Sequence, residues 1–154
     1  MNDLAESYGL VSGKSGVVST QKLRAKLHRY LPEKTVVYGH LLPYVVPPGS
    51  VSMVVVLRCE PGVLKERLRL RGYPPQKIVE NVEAELIGVV SSDTFDTYGR
   101  AKTWEVDTTG ASPIESASAV IEVAGPKPGG VQRIDWTLDY NSGTKLRLLL
   151  STAG

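Results

Sequence analysis

Two segments of the chain contain residues whose types and spacing could bind phosphate. The first is Ser-Gly-Lys-Ser-Gly at residues 12–16. A phosphate-binding P-loop requires a glycine, four further residues and then Gly-Lys-Ser/Thr, placed between a strand and a helix so that backbone amides surround the phosphates. The first glycine of that pattern would be residue 8, which is Tyr8. The spacing therefore favours a flexible Gly/Ser loop over a phosphate loop at this position.

The second segment ends a predicted helix with alternating arginines, Arg67, Arg69 and Arg71, directly before Gly72. A mobile arm that carries guanidinium groups can fold over a polyphosphate, neutralise the charge that develops on a transferred group and exclude water. Cations are also favoured at the C-terminus of a helix, because they interact with its dipole. The arginine spacing by itself leaves both interpretations open.

Metal and disulfide chemistry are disfavoured by the composition. Cys59 is the only cysteine, which excludes an internal disulfide and a zinc site built from cysteines. His28 and His40 are the only histidines, and neither has a ligand partner at metal-binding spacing. We expect no metal cage built by protein side chains.

The overall balance of residues is that of one ordinary globular domain. The chain has 154 residues, 42% of them apolar and 22% charged, with a net charge of +2. No Lys or Arg residues are adjacent, so the charge permits contact with phosphates or nucleic acid without arguing for it. The apolar run at 51–57 is too short to span a bilayer, and the N-terminus lacks a signal pattern. We expect a soluble, cytoplasmic protein.

Helical spacing of apolar residues predicts the elements that must position these groups. The clearest pattern is Ile78, Val82, Leu86 and Val89, which lie on one helix face. Ser-Pro-Ile-Glu at 112–115 forms a capping box with proline at the first helical position. The predicted helices run from a cap at 19 or 20 to 32, from 61 to about 72, from about 75 to 91, and from 113 to about 123.

Short β-branched or apolar runs between these helices predict strands at 35–38, 51–57 and 104–106. The run at 51–57 is apolar apart from Ser52, which is typical of a strand covered on both faces in a parallel sheet. Prolines in the segment 41–50 exclude a long helix there. Strands that alternate with helices predict an α/β fold with a parallel sheet and right-handed crossovers.

The C-terminal segment has a different pattern. Residues 124–130, Ala-Gly-Pro-Lys-Pro-Gly-Gly, indicate a linker. Apolar and polar residues alternate from Ile134 to Tyr140, and a second apolar run covers 145–150. This period predicts a β-hairpin in a C-terminal extension at 131–154, with a short helix over 134–140 as the alternative.

With these elements in place, the chain resembles a known family. Residues 54–85 resemble the core strand, lid helix and following helix of the small adenylate-kinase-like proteins of archaea and eukaryotic nuclei, a family linked to ribosome assembly. The matching motifs are Leu57-Arg58, Leu-Lys-Glu-Arg-Leu at 64–68, Arg71-Gly72-Tyr73, and Glu80-Asn81 with Glu85. Further likenesses are the strand and turn at 104–109, Gly39-His40, and Asp3-Leu4-Ala5. The resemblance implies an adenylate-kinase-like domain at 1–123, with a monophosphate-binding segment at about 1–19 and a lid at about 70–80.

The resemblance implies phosphoryl transfer from ATP to a nucleoside monophosphate such as AMP, with slow ATP hydrolysis and with Mg²⁺ brought by the nucleotide. Arg71, together with Arg67, would hold the ATP phosphates, and Thr108 and Thr109 would lie near the adenine. The monophosphate side would comprise His40, in a catalytic role as well, with Asp3 and Leu4. Without the resemblance, His40 is equally well explained as an ordinary histidine in a loop. Residues 107–109 are equally well explained as a polar turn before a capped helix.

Two departures from the family pattern qualify these expectations. The sequence begins two residues before Asp3, so the strand and P-loop that precede this segment in the family are expected to be missing. Tyr38 occupies the position where the family has an acidic residue before Gly-His. The expected fold is therefore an α/β sheet of the P-loop nucleoside monophosphate kinase type, without its N-terminal strand and P-loop and with a hairpin extension.

Two other functions remain open at this point. The chain could be a catalytically inactive binding module for a ribosome-assembly partner, a ribosomal protein or rRNA of the small subunit, with Lys22, Lys26 and Arg29 on a basic helix face. Alternatively, the C-terminal hairpin could add strands to the sheet of a partner.

Overall fold

The computed structural model describes residues 11–12, 17–30, 35–125 and 133–151, with residues 11–12, 17–18, 26 and 28–30 described by their backbone alone. The chain forms two compact units, Met1–Ser52 and Met53–Gly154. No helix in the described ranges is long and apolar enough to cross a membrane. The division into domains at 123 and 130 stays a prediction.

The first unit is built around one amphipathic helix. The predicted helix is confirmed as α1, Thr20–Tyr30, and its Leu23 and Leu27 are buried against Val45 and Val46. The segment before α1 contains two short antiparallel strands, β1 (Val11–Ser12) and β2 (Val17–Val18), where the glycines and serines had predicted only a loop. After α1 come a four-residue helix α2 (Leu42–Val45) and a 3-10 turn at Pro48–Ser50, as expected of a proline-rich segment.

The strand predicted at 35–38 is absent, and this prediction was wrong. Residues 35–39 have no regular secondary structure, and Val36 and Tyr38 are 92% and 77% exposed. β-branched residues favour a strand because they pack on a half-buried pleated surface. Since these side chains face solvent, their composition alone does not produce a strand.

The second unit contains a two-stranded parallel sheet with helices around it, which confirms the predicted α/β architecture. Strand β3 (Val54–Arg58) pairs with β4 (Thr103–Asp107), and the last residue of one strand lies opposite the last residue of the other. The helices are α3 (Pro61–Leu70), α4 (Pro75–Leu86) and α5 (Val89–Tyr98) in the crossover, followed by α6 (Pro113–Val123).

One helix predicted from about 75 to 91 is in fact two. Gly88 has a left-handed backbone, with φ of 66°, and separates α4 from α5. A Cβ atom at Gly88 would lie 3.5 Å from Nη2 of Arg58, which is an ordinary contact distance, so it is the left-handed backbone of the turn that favours glycine here. The apolar spacing continues through Gly88 without a change of period, which is why the pattern did not reveal the break.

The predicted C-terminal hairpin is also wrong, because this segment is helical. It forms a 3-10 turn at Trp136–Leu138 and helix α7 (Gly143–Leu150), with Ser142 capping the first turn of α7 through Lys145 N. Leu149 is buried with the apolar residues of α3 and α4, which are Leu68, Ile78, Val82 and Leu86. The apolar side of α7 packs on α3 and α4, and this packing stabilises the helical form. Because the segment is not a hairpin, the hypothesis that it adds strands to the sheet of a partner has no support.

A buried arginine at the end of β3 joins the sheet, two helices and the C-terminal segment. Arg58 is 2% exposed. Its Nε donates to Glu85 Oε1 at 2.7 Å, and its Nη1 donates to Glu105 Oε1 at 2.6 Å. Further bonds reach Ser91 Oγ at 3.1 Å, the carbonyl of Ile134 at 3.0 Å and the carbonyl of Glu85 at 3.0 Å. All three nitrogens of the guanidinium therefore donate hydrogen bonds.

The charge of Arg58 is stabilised in this position. Burial works to lower the pKa of the guanidinium, but the hydrogen bonds and charges of Glu85 and Glu105 outweigh it, so the pKa of Arg58 is raised. Glu105 also accepts a hydrogen bond from Ile134 N at 2.6 Å, and Glu85 accepts one from the Trp136 indole at 3.0 Å. The two carboxylates therefore depend on Arg58 and on the C-terminal segment together.

Replacing Arg58 should lower the free energy of unfolding of the second unit far more than replacing an exposed arginine. Arg58→Met removes the cation and leaves two carboxylates without it, which typically costs about 3–5 kcal/mol of unfolding free energy. Arg69→Met removes an exposed ion pair with Glu66 at 3.0 Å and should cost less than about 1 kcal/mol. Urea unfolding of both variants measures the difference, and equal losses would contradict the assigned role of Arg58.

Candidate functional site

The candidate site lies where the carboxyl ends of β3 and β4 meet. Arg58 and Asp107 are opposite each other at these ends, and the chain then turns into α3 on one side and into residues 108–111 on the other. In open parallel sheets, ligands bind in the crevice outside the carboxyl ends of the strands.

The turn after β4, residues 107–109, is held by a dense set of hydrogen bonds. Thr108 donates to the carbonyl of Arg58 through both its backbone N–H and its hydroxyl, each at 2.8 Å. Thr109 accepts from Glu60 N at 2.8 Å, and both its N–H and its hydroxyl donate to Asp107 Oδ1. Both threonine hydroxyls are thus engaged within the protein, which fixes the shape of the turn.

Arg67 of α3 contacts this same turn. Its Nη2 donates to two consecutive carbonyls, those of Thr108 at 2.9 Å and Thr109 at 2.8 Å. Its Nη1 lies 3.4 Å from the sulfur of Cys59. The structure therefore brings together three of the predicted nucleotide-binding residues, Arg67, Thr108 and Thr109. Their mutual contacts could not be read from a sequence in which they are some forty residues apart.

Cys59 is buried beside Arg67 at the start of the loop after β3. Burial raises the pKa of the Cys59 thiol, although the positive charge of Arg67 acts in the opposite direction. Since the thiolate is the reactive form of cysteine, Cys59 is unsuited to nucleophilic chemistry and acts as a small packing residue.

Arg71 occupies the end of α3, where the helix is closed by a left-handed glycine. Gly72 has φ of 72° and donates to Arg69 O at 3.0 Å, while Tyr73 N donates to Leu68 O at 3.2 Å. This is the Schellman arrangement, and it fixes the backbone that carries Arg71. In the described part of the chain, the exposed Arg71 guanidinium has no hydrogen bond or ion pair with another residue, whereas Arg69 is paired with Glu66.

The segment predicted as a lid at about 70–80 is a short connection in the structure. Residues 71–74 form the turn, and α4 begins at Pro75. The tight turn between two packed helices brings Arg71 to the exposed corner of this pair.

Of the residues predicted for the monophosphate side, His40 is the one that the structure describes. His40 lies in the first unit, is exposed, and follows Gly39 in the turn before α2. Asp3 and Leu4 lie outside the described residues, as does the Gly-Lys-Ser-Gly part of the 12–16 segment. Within the described ranges, no group of three His, Cys, Asp or Glu side chains could hold a metal ion.

Glu60 and Tyr140 form a contact at this edge that was missed from the sequence. The Glu60 carboxylate caps α3 by accepting from Gly62 N at 3.0 Å and Val63 N at 2.8 Å, and it also accepts from the Tyr140 hydroxyl. Burial works to raise the pKa of Glu60, but these hydrogen bonds outweigh it and the pKa is lowered. An acidic residue before Pro61 could have signalled the cap. Nothing in the sequence pointed to Tyr140.

The contact should be visible in a tyrosinate titration. Burial and the Glu60 carboxylate raise the pKa of Tyr140 from 10.0 to about 12. A raised pKa means that the stabilisation is complete below pH 10 and is lost as the pH rises from about 10 to about 12. The ultraviolet difference titration between the unchanged protein and Tyr140→Phe should have its midpoint near the upper value. In the background of Glu60→Gln the midpoint should fall towards 10, and an identical midpoint in both backgrounds would contradict the contact.

Comparison with known proteins gives a consistent family. The family described as an AAA domain matches residues 4–88. A protein of Methanothermobacter thermautotrophicus named "Putative adenylate kinase" is 43% identical over 107 residues, which are 67% of this chain and 60% of the relative. A protein of the same name from Natronomonas pharaonis is 40% identical over 68% of this chain and 61% of the relative. The chain thus spans about 60% of the length of these two relatives.

A third relative covers nearly the whole chain. The protein of Thermococcus onnurineus with the same name is 32% identical over 155 aligned positions, which correspond to 97% of this chain and 82% of the relative. The alignment therefore extends beyond the two strands of the sheet and their crossover helices into the C-terminal segment. The chain belongs to the adenylate-kinase-like NTPase family.

Proposed function

We propose that this chain takes part in phosphoryl transfer from ATP to a nucleoside monophosphate, AMP being the acceptor. Family membership supports a nucleotide kinase in general terms. The single observation that carries the proposal is the exposed guanidinium of Arg71 on a backbone that the Gly72 cap holds in place. A guanidinium held in this way can bind an anion from outside the described residues, and its planar fork matches the oxygens of a polyphosphate.

The reaction needs little covalent chemistry from the protein. A phosphate oxygen of AMP attacks the γ-phosphorus of ATP, the bond to the β–γ bridging oxygen breaks, and two molecules of ADP result. Catalysis then consists of positioning and of stabilising the charge on the transferred group. Arg71 would bind the phosphates of ATP, with Arg67 on the same helix, and the Thr108–Thr109 turn would lie beside the adenine. His40, Asp3 and Leu4 would serve the monophosphate side.

Magnesium is assigned to the nucleotide rather than to the protein. The described residues offer no cluster of His, Cys, Asp and Glu side chains that fits a metal ion. Mg²⁺ is commonly held through substrate phosphates and water molecules, so it needs no such cluster.

Removal of the Arg71 guanidinium should slow the transfer step. Loss of one positioned donor to the transition state typically lowers kcat by about 10²–10³-fold. Arg71→Ala should show a loss of this size when ADP formation from ATP and AMP is followed. Arg69→Ala removes the same charge from the same helix end but breaks only the ion pair with Glu66, and it should change kcat by less than about threefold.

Equal effects of the two substitutions would reduce the role of Arg71 to general electrostatics and would contradict the proposal.

The intact mass of the protein from its native source determines which polypeptide should be assayed. A mass greater by about 30 residues, the size of a strand, loop and helix, would mean that the kinase assays should be made on the longer polypeptide.

From the family resemblance, we also propose a more specific role for this protein. It would act in the cytoplasm, in maturation of the small ribosomal subunit and its rRNA. The observation that favours it is the solvent-facing side of α1, where Lys22 and Arg24 are exposed while Leu23 and Leu27 are buried. Opposite faces of one helix thus serve the core and a charged surface.

Charge reversal on α1 tests this role. In the double variant Lys22→Glu and Arg24→Glu, small-subunit rRNA should bind more weakly. The logarithm of the binding constant should also fall less steeply with the logarithm of salt concentration, by about one for each phosphate that is no longer neutralised. The matched control reverses Arg69 and should leave binding unchanged. Unchanged binding in the double variant would mean that the face is merely solvated.

A further inference from the structure

The first turn of α3 is held from outside the helix by Tyr140. The Tyr140 hydroxyl donates to the Glu60 carboxylate, and this carboxylate accepts hydrogen bonds from the amides of Gly62 and Val63. The Tyr140 ring also packs against the apolar cluster that contains Leu68 of α3. The start of α3 is therefore fixed by a residue that lies 80 positions after its capping residue in the chain.

The glycine in the first turn of α3 is explained by the same contact. Gly62 is the second residue of the helix, where glycine is less favourable than alanine, and its backbone is not left-handed. A Cβ atom at this position would lie 3.0 Å from the Tyr140 hydroxyl oxygen and 3.1 Å from Oε2 of Glu60, which is closer than side chains ordinarily approach. The absence of a side chain at Gly62 thus makes room for Tyr140 beside the cap.

Tyr140 is itself anchored to parts of the second unit other than α3. Before it in the chain, Ile134 is hydrogen-bonded to Arg58 and Glu105. After it, Leu149 is buried with apolar residues of α4 as well as of α3. The sheet and α4 thus hold the segment that holds the cap.

A second contact with the C-terminal segment fixes the middle of α3. The Lys65 ammonium group donates to the carbonyls of Leu148 and Ser151, at 3.1 Å and 3.0 Å. The helix has 10 residues, and Arg71 follows its last residue. It is about 15 Å long, so a tilt of about 5° would displace its far end by about 1 Å. The direction of α3, and with it the place of Arg71, therefore depends on both contacts.

We propose that Tyr140 is a positioning residue, which acts through the Glu60 cap and α3 to set the place of the Arg71 guanidinium. The proposal rests on the proposed function, because that function gives Arg71 its phosphate ligand. A displacement of about 1 Å that originates far from the reacting atoms can lower the rate by about 10²-fold. The C-terminal segment thereby controls the helix that carries the phosphate-binding group.

The first arm of the test measures the end of α3 and needs no activity. Tyr140→Phe keeps the ring and removes the hydroxyl. The matched control is Ser142→Ala, which removes the cap of α7 at Lys145 N in the same segment and leaves the bond to Glu60 in place. In two-dimensional amide spectra, the signals of Arg71 and Gly72 should shift in Tyr140→Phe and stay in place in the control.

A double-mutant cycle tests the contact with Gly62. Gly62→Ala is made in the unchanged protein and in Tyr140→Phe, and the folding equilibrium constant is measured by urea unfolding. Because the hydroxyl oxygen is the nearest atom to the added methyl group, alanine should be tolerated about fivefold better in Tyr140→Phe. Equal effects in the two backgrounds would contradict the contact, and the proposal with it.

The kinetic arm asks whether Tyr140 acts through Arg71. Tyr140→Phe should lower kcat by about tenfold and change KM for ATP by less than about threefold. In the background of Arg71→Ala the same substitution should change kcat by less than about twofold, because the group that it positions is already gone. Ser142→Ala should leave kcat within about twofold of its original value.

Three further results would overturn the proposal. They are amide signals of Arg71 and Gly72 that stay in place in Tyr140→Phe, a loss of kcat that is equally large without the Arg71 guanidinium, and an equal loss in Ser142→Ala, which would indicate general destabilisation. If the unchanged protein turns over no nucleotide, the proposed function fails on its own. The amide signals then still decide whether Tyr140 positions the end of α3.

Discussion

The structure of the second unit depends on one buried guanidinium. Arg58 is surrounded by Glu85, Glu105 and Ser91 together with backbone carbonyls, so that two strands, two helices and the C-terminal segment share a single hydrogen-bonding centre. A buried ion pair adds little net stability compared with a well-packed apolar core, but its loss is costly, because the remaining charges have no partner. The network therefore contributes more to fixing one arrangement of these elements than to the free energy of unfolding.

The same residue connects the core to the site. The side chain of Arg58 points into the network, while its carbonyl accepts the N–H and the hydroxyl of Thr108. Arg67 then holds the next carbonyls of the turn from the α3 side. The turn is thus clamped between the end of β3 and the last turns of α3, and its geometry follows from the packing of these elements rather than from its own sequence.

The features that could be predicted from the sequence are those set by residues close to one another along the chain. The apolar period of Leu23 and Leu27 and the helix end at Arg71-Gly72 were readable, since each pattern involves residues within a few positions of one another. The parallel sheet was inferred from the apolar run of one strand, although the pairing itself joins residues as far apart as Arg58 and Asp107. The break at Gly88 was not, because the apolar spacing continues across this glycine without a change of period. The spacing of apolar residues in the C-terminal segment fits a strand as well as a helix. The helix is favoured by its packing against the apolar side chains of α3 and α4, which are distant in the sequence. Among the site residues, the motif indicated Arg67 and Arg71 alike, and only the long-range contacts to the 107–109 turn separate them.

The position of Ile134 in the network has a consequence for synthesis. Its carbonyl reaches Arg58 across 76 residues, and its N–H reaches Glu105 across 29. A nascent chain that has released only the sheet and its crossover helices would hold the Glu105 carboxylate without its last donor. Contacts of such large sequence separation form late and slow folding. These two hydrogen bonds therefore form only after Ile134 has emerged from the ribosome, and a chain that ends before this residue lacks both of them.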